Sequence, residues 1–258
     1  DWTGSINLPA IKLPALSQTK EYHQDPYLGA YFYRFNVKHP VLKDAKVRRA
    51  LALAIDREAV MTVIKGGNEA ATNYVPKMPG YTAGDGELEF EPDDARKLLA
   101  EAGYPEGKGF PVLRLLYNTD ENHKRIAEMA QQMWKKHLGI QVDLVNQEWK
   151  VYLKSMQEVD YDICRSGWIG DYLDPMTFLD MWTTGNGNNN THWSDREYDG
   201  LIEKARHEPD PKKRLEILTR AETILLTRGP VMPIYHYARQ YLLNPAVEGF
   251  HKHPIDLH

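Results

Sequence analysis

Apolar and polar positions change period repeatedly along this chain, and each change marks a boundary between a strand and a helix. Residues 1–20 carry Pro9 and Pro14 with little periodicity and predict a strand or loop entering the domain. Tyr31-Phe32-Tyr33-Arg34-Phe35-Asn36 alternates aromatic and polar residues late in the run, which predicts a strand. Asp44 then opens a helix whose apolar positions Val47, Leu51, Ala54 and Ile55 share one face. A second phase, Val60, Val63 and Ile64, ends at Gly66-Gly67. Glu91-Pro92-Asp93-Asp94 puts proline and acids at a helix start, where both suit the free amides and the dipole. That helix carries Leu98 and Leu99 and stops at Gly103.

Val112 to Tyr117 reads as a strand, followed by a long helix from about Asn122 to Leu138 with Ile126, Met129, Ala130 and Met133 on one face. Ile140 to Val145 alternates as the next strand, Trp149 to Gln157 is a short helix, and Asp162 to Trp168 is a strand. The polar loop Gly185 to Asn190 has a solvated composition and precedes helices at about 195–207 and 211–227. Val231 to Tyr237 returns to strand, with Pro233 better suited to an edge or a crossover than to a central position. Helices alternating with strands predict an α/β fold.

Composition narrows this picture. The 258 residues can bury a full core, and 42% hydrophobic with 26% charged residues is ordinary soluble-globular usage. A net charge of −4 with no basic run interleaved with aromatics gives no support for a nucleic-acid partner. No stretch approaches the roughly 18 apolar residues that predict a membrane-crossing helix. Cys164 stands alone, which excludes an internal disulfide and a multi-cysteine zinc site, and its apolar neighbours predict a buried, inert thiol. Fifteen Tyr and six Trp against six Phe is a polar-tipped aromatic set, suited to surfaces that are apolar at one end and wet at the other.

The densest chemistry lies in Arg165-Ser166-Gly167-Trp168-Ile169-Gly170-Asp171-Tyr172-Leu173-Asp174-Pro175. A carboxylate suits an α-ammonium, a guanidinium suits a carboxylate, and an aromatic ring suits a side chain. The glycines let a backbone approach closely enough to hydrogen-bond an extended guest. On local chemistry alone, Arg165 and Asp171 fit equally a structural ion pair. His123 opens the long helix directly after a strand, a position that faces a ligand crevice in α/β folds or simply solvent. Trp149 fits either core packing or a pocket wall. No zinc-helix, nucleophile-elbow or phosphate-loop motif occurs, so no catalytic and no metal-binding residue is assigned. His251, His253 and His258 read as a surface tail.

Arg165 to Asp174, with Phe178-Leu179-Asp180 after it, resembles the signature of the peptide-binding solute-binding proteins that serve ABC importers. Three further stretches match in the same order: Val47 to Arg57, Ala95 to Phe110 around Ala102-Gly103-Tyr104-Pro105, and Asn146-Gln147-Glu148-Trp149. The likeness runs from about Leu28 to about Asn244, and it is to the C-terminal half of family members, which are roughly twice as long. The resemblance implies an α/β fold that is one lobe of a two-lobed periplasmic-binding-protein-like structure of class II, cluster C. Residues 1–17 would be a remnant of the first lobe, 18–240 the peptide-binding lobe with both crossover segments, and 241–258 a return segment.

It further implies oligopeptide binding for delivery to an ABC importer, with no cofactor and no bond broken. Asp171 would hold the peptide α-ammonium, and His123 and Arg165 would meet its C-terminal carboxylate. Gly167 and Ile169 would pair with the peptide main chain, Trp149 and Trp168 would line a side-chain pocket, and Asn188 would be a further site residue. The partners implied are the peptide and the permease subunits, with membrane contact only through the transporter or an upstream lipid anchor. The location implied is the periplasm or the outer membrane face, with a signal peptide upstream of this chain. A metal-dependent or thiol hydrolase on an α/β scaffold, or an interaction module without a small ligand, are the alternatives from other classes.

Overall fold

The computed structural model describes residue 8, residues 12–64 and 67–250, and residue 253. A one-turn helix α1 (Leu13–Leu16) leads into the long strand β1 (Tyr22–Phe35). Helices α2 (Ala45–Leu53) and α3 (Arg57–Ile64) and a two-residue strand β2 (Glu69–Ala70) follow. Then come α4 (Pro92–Glu101), β3 (Leu113–Asn118), α5 (Glu121–Leu138), β4 (Val142–Gln147), α6 (Trp149–Gln157) and β5 (Ile163–Ile169). The short α7 (Met176–Leu179), α8 (Arg196–His207), α9 (Pro211–Arg228) and β6 (Val231–Leu242) complete the α-helices and strands among the described residues. Side-chain caps start the helices where the sequence places acids: Asp44, Asp120, Asp195 and Asp210 each accept a main-chain N–H of the first turn.

All six strands form one sheet in the order β2-β6-β1-β5-β3-β4. β3 runs parallel to β4 and β5, as helical crossovers require, while β1 is antiparallel to both β5 and β6. Period-two alternation sends Tyr31 and Tyr33 to one face with Arg165, and Ala30, Phe32 and Arg34 to the other with Ser166 and Trp168. Helix α5 covers the first face, where His123 meets Tyr31, and anchors through Trp134, whose indole donates to the Leu51 carbonyl at 2.8 Å. On the second face Tyr74, Phe178 and Trp182 pack edge-on around Phe32. Beside them, α6 closes a small cluster of Leu116, Tyr152, Tyr161 and Cys164.

Glu222 of α9 is fully buried, and it gathers the segment between β2 and α4. Its carboxylate accepts from the main-chain N–H groups of Tyr74 (3.0 Å), Val75 (2.7 Å) and Gly84 (3.0 Å) and from the Tyr81 hydroxyl (2.8 Å). Burial pushes its pKa up, and the four donors pull the other way.

Several expectations change in detail. β1 begins at Tyr22, well before Tyr31, and β6 runs past Tyr237, because residues 22–26 and 238–242 pair with each other as a ribbon. The predicted boundary at 240 therefore falls inside β6. Pro233 sits beside a register shift opposite Phe32, where β2 does not reach, so its missing N–H interrupts no ladder. On α5 the predicted Met129 and Met133 are only half-buried, and Trp134 is the fully buried anchor. The solvated-loop reading fails at Asn189, which is buried and donates to the carbonyls of Trp182, Thr183 and Trp193. Cys164 is fully buried, and burial pushes its thiol up to about 12, where it carries no thiolate reactivity. Of the C-terminal histidines, His251 and His258 lie outside the described residues, as does most of the predicted remnant at 1–17.

Candidate functional site

β5 carries the site because its two neighbours release it at different points. Its pairing with β3 ends at Leu116↔Cys164, whereas its pairing with β1 continues to Gly29↔Ile169. The Gly170 N–H donates to the Leu28 carbonyl at 2.7 Å. Antiparallel ladders alternate, so the main-chain groups of Arg165, Gly167 and Ile169 point away from β1. The Arg165 carbonyl accordingly takes the Tyr152 hydroxyl of α6. Beyond the end of β3, the N–H and C=O of Gly167 and Ile169 face the gap between the two strands.

Arg165 projects onto the Tyr31 face. Its guanidinium lies 4.9 Å from the Tyr31 ring centroid, with Nη1 3.3 Å from Asn118 Oδ1 and Nη2 3.4 Å from the Tyr237 hydroxyl. Nε is buried without a partner, and among the described residues Arg165 forms no ion pair. A partly buried cation without a counter-ion favours an incoming anion. His123, in the first turn of α5, brings Nδ1 to 3.4 Å from the Tyr31 hydroxyl and 3.7 Å from Asp120 Oδ1. Burial and the nearby Arg165 push its imidazole down to about 4 against the pull of Asp120, so His123 is neutral at pH 7. It can offer an anion a hydrogen bond there but no charge.

The absence of a side chain at Gly167 leaves room for Tyr237 beside Arg165. A Cβ at Gly167 would stand 2.8 Å from the Tyr237 hydroxyl oxygen. Tyr31 in turn stacks on Tyr235 at 4.7 Å, and Tyr235 meets Tyr237 edge-on at 5.1 Å. Tyr31, Tyr237 and Asn118 thus belong to the candidate site around Arg165, and the sequence reading missed them. The alternating Tyr31-Phe32-Tyr33 and Tyr235-His236-Tyr237 were the available signal.

Asp171 follows β5 on an exposed turn, its N–H 3.1 Å from the Thr177 Oγ1. Among the described residues its carboxylate has no hydrogen bond or ion pair, so the structural Arg165–Asp171 pair is not formed. The ion pair of this stretch is instead Asp174 with Arg214, held by two hydrogen bonds of 2.6 and 2.9 Å. Trp149 is 49% exposed and stacks on Tyr152 at 5.5 Å. Trp168 is half-buried on the other face from Arg165, with its indole Nε1 buried and unpartnered. Asn188 is exposed, and its carbonyl accepts from Arg34, which also reaches Ser166 Oγ at 2.8 Å. That network lies on the Ser166 face, so Asn188 is not joined to the Arg165–His123 cluster. Among the described residues no group of three or more His, Cys, Asp or Glu could hold a metal, and no helix is long and apolar enough to cross a membrane.

The arrangement has known relatives. The family described as bacterial extracellular solute-binding proteins, family 5 (middle) matches residues 1–190. The oligopeptide-binding protein OppA of Bacillus subtilis is 35% identical over 260 residues, 96% of this chain and 48% of that protein. The crystal structure of a periplasmic oligopeptide-binding protein of Borrelia burgdorferi superposes with a TM-score of 0.85 at 38% identity, over 92% of this chain and 48% of that one. Haemophilus influenzae OppA, solved in complex with RPPGFSPFR, superposes with a TM-score of 0.83 at 30% identity, over 96% and 50%. The chain therefore spans about half the length of these relatives and forms one lobe of their α/β periplasmic-binding-protein-like fold. It belongs to the bacterial extracellular solute-binding proteins of family 5.

Proposed function

We propose that this chain is the peptide-binding half of an extracytoplasmic protein that captures oligopeptides and delivers them to the permease of an ABC importer. The observation that carries this reading is the open edge of β5. Gly167 and Ile169 offer main-chain groups to an added strand, and the unengaged Asp171 carboxylate follows them on the next turn. Asp171 holds the peptide α-ammonium. Arg165 meets the opposite, carboxylate end with its unpaired charge, and His123 adds a neutral hydrogen bond. Trp149 and Trp168 present half-exposed rings to side chains, and Asn188 is the outlying member of the set. Recognition by main chain and termini accommodates many sequences without a matched polar partner for each.

The division into a remnant at 1–17, a binding lobe at 18–240 and a return segment from 241 belongs to the same proposal. It is supported by the ribbon in which residues 22–26 pair with 238–242, a natural place for a chain to cross between lobes. Binding without catalysis agrees with a family of solute-binding proteins and with the buried Cys164 thiol.

Calorimetry on the full-length protein tests the assignment. Asp171→Ala is expected to weaken free-amine peptides by about 3–5 kcal/mol, since closure leaves the ammonium buried without its charge partner. N-acetylated peptides should bind the unmutated protein poorly, and acetylation should add little to the Asp171→Ala loss. Unchanged affinity of Asp171→Ala for free-amine peptides would refute the role of Asp171.

A further inference from the structure

A cavity of about 800 Å³ opens where β1 and β6 leave the body of the sheet, walled by α3 and the segment after it. Its volume lies in the range of about 300–1,000 Å³ typical of small-molecule sites. Two wall residues tie it to the peptide site: Tyr237, which contacts Arg165, and Leu173, two residues beyond Asp171. We propose that this recess takes the cationic side chain of one residue of the bound peptide, a lysine or an arginine. The proposal rests on the peptide-binding reading and extends it to side-chain specificity.

The lining has the division that such a side chain demands. Tyr27, Leu28 and Met61 supply apolar wall for an alkyl stem, and Glu58 and Glu69 supply carboxylates for the head. Lys77, also at the recess, is held by Glu69, whereas Glu58 has no ion pair among the described residues. His236 gives an independent sign of a missing partner. It is 7% exposed, lines the recess, and its Nε2 has no hydrogen-bond partner. Burial pushes its pKa down to about 4 against the pull of Glu69 and of the main chain at Asn73 and Tyr74, so the ring is neutral at pH 7. A neutral imidazole has one lone-pair nitrogen, and every polar hydrogen of lysine or arginine is a donor. In the tautomer protonated on Nδ1, Nε2 is a buried acceptor left empty, and an N–H from the ligand removes that penalty.

The test is calorimetry on the full-length protein with tri-alanine and with tripeptides in which each alanine in turn becomes lysine or its uncharged isostere norleucine. At one position, lysine should bind at least about tenfold more tightly than norleucine. In Glu58→Gln that ratio should fall to within about twofold of unity, and His236→Gln should lower it as well. Glu58 is exposed on α3, so its variant decides the matter even if His236→Gln folds poorly. A ratio near one at all three positions would overturn the proposal. So would a lysine preference that persists in Glu58→Gln combined with Glu69→Gln. Failure of every peptide to bind, tri-alanine included, would overturn the peptide-binding reading and this assignment with it.

Discussion

One buried and one partly buried histidine should make this fold sensitive to mild acid. His123 and His236 both have pKa values pushed down from 6.5 to about 4, in each case chiefly by burial. The folded state therefore prefers the neutral ring, while the unfolded chain takes up a proton at the ordinary value. No stability is lost above pH 6.5; the loss begins below it and is complete below about 4. At pH 5 the unfolded state has gained about 1.5 units of protonation free energy at each site and the folded state almost none. At about 1.36 kcal/mol per unit, each histidine removes about 2 kcal/mol between pH 7 and pH 5, and the pair about 4. A domain stable by about 5–15 kcal/mol would feel this strongly. Glu222 acts in the opposite sense, because a raised carboxyl pKa penalises the folded state at neutral pH and relieves it as pH falls. Urea titrations at pH 7 and pH 5 on the parent, His123→Gln and His236→Gln isolate the two contributions, with each variant losing about 2 kcal/mol less than the parent. Parallel losses in all three proteins would refute the reasoning.

Gly167→Ala should destabilise by about 1–3 kcal/mol, because the new methyl would stand 2.8 Å from the Tyr237 hydroxyl; in a Tyr237→Phe background, thermal unfolding should show a smaller loss. Trp149 is 49% exposed, so peptide addition should change tryptophan fluorescence, and Trp149→Ala should remove part of that change while altering side-chain preference more than the need for free termini. This chain expressed alone should bind peptides at least about a hundredfold more weakly than its full-length parent, about 2.7 kcal/mol, and calorimetry showing equal affinity would contradict the two-lobed site.

The elements most legible in the sequence were those with a local cause. Asp44, Asp120 and Asp210 cap where the polar-to-apolar switch predicts a helix start, and the alternation of residues 140–145 reappears, shifted by two, in β4. The ribbon of 22–26 with 238–242 was invisible, since Tyr22-His23-Gln24-Asp25-Pro26 has no buried face to impose alternation; only pairing with a distant strand makes it extended. Arg165, His123 and Gly167 were found by motif and do meet in space. Tyr31 and Tyr237 were not, because what gives them a role is a cross-strand register that no local pattern encodes. Asn188 was placed by the family resemblance, and its main chain serves the opposite face.

The single carboxylate of Glu222 sets an order of events during synthesis. Tyr74 and Val75 precede it by 148 and 147 residues, so at about 5–20 residues per second they leave the ribosome roughly 7–30 s before their acceptor exists. Arg34 waits almost as long for Ser166, 132 residues downstream. Until β5 is made, the aromatic run of β1 has neither of its neighbouring strands, and until α9 is made the segment from 74 to 84 lacks its carboxylate anchor. Helix α9 then brings the anchor for residues 74–84, and only β6, which follows it, covers the remaining edge of β1.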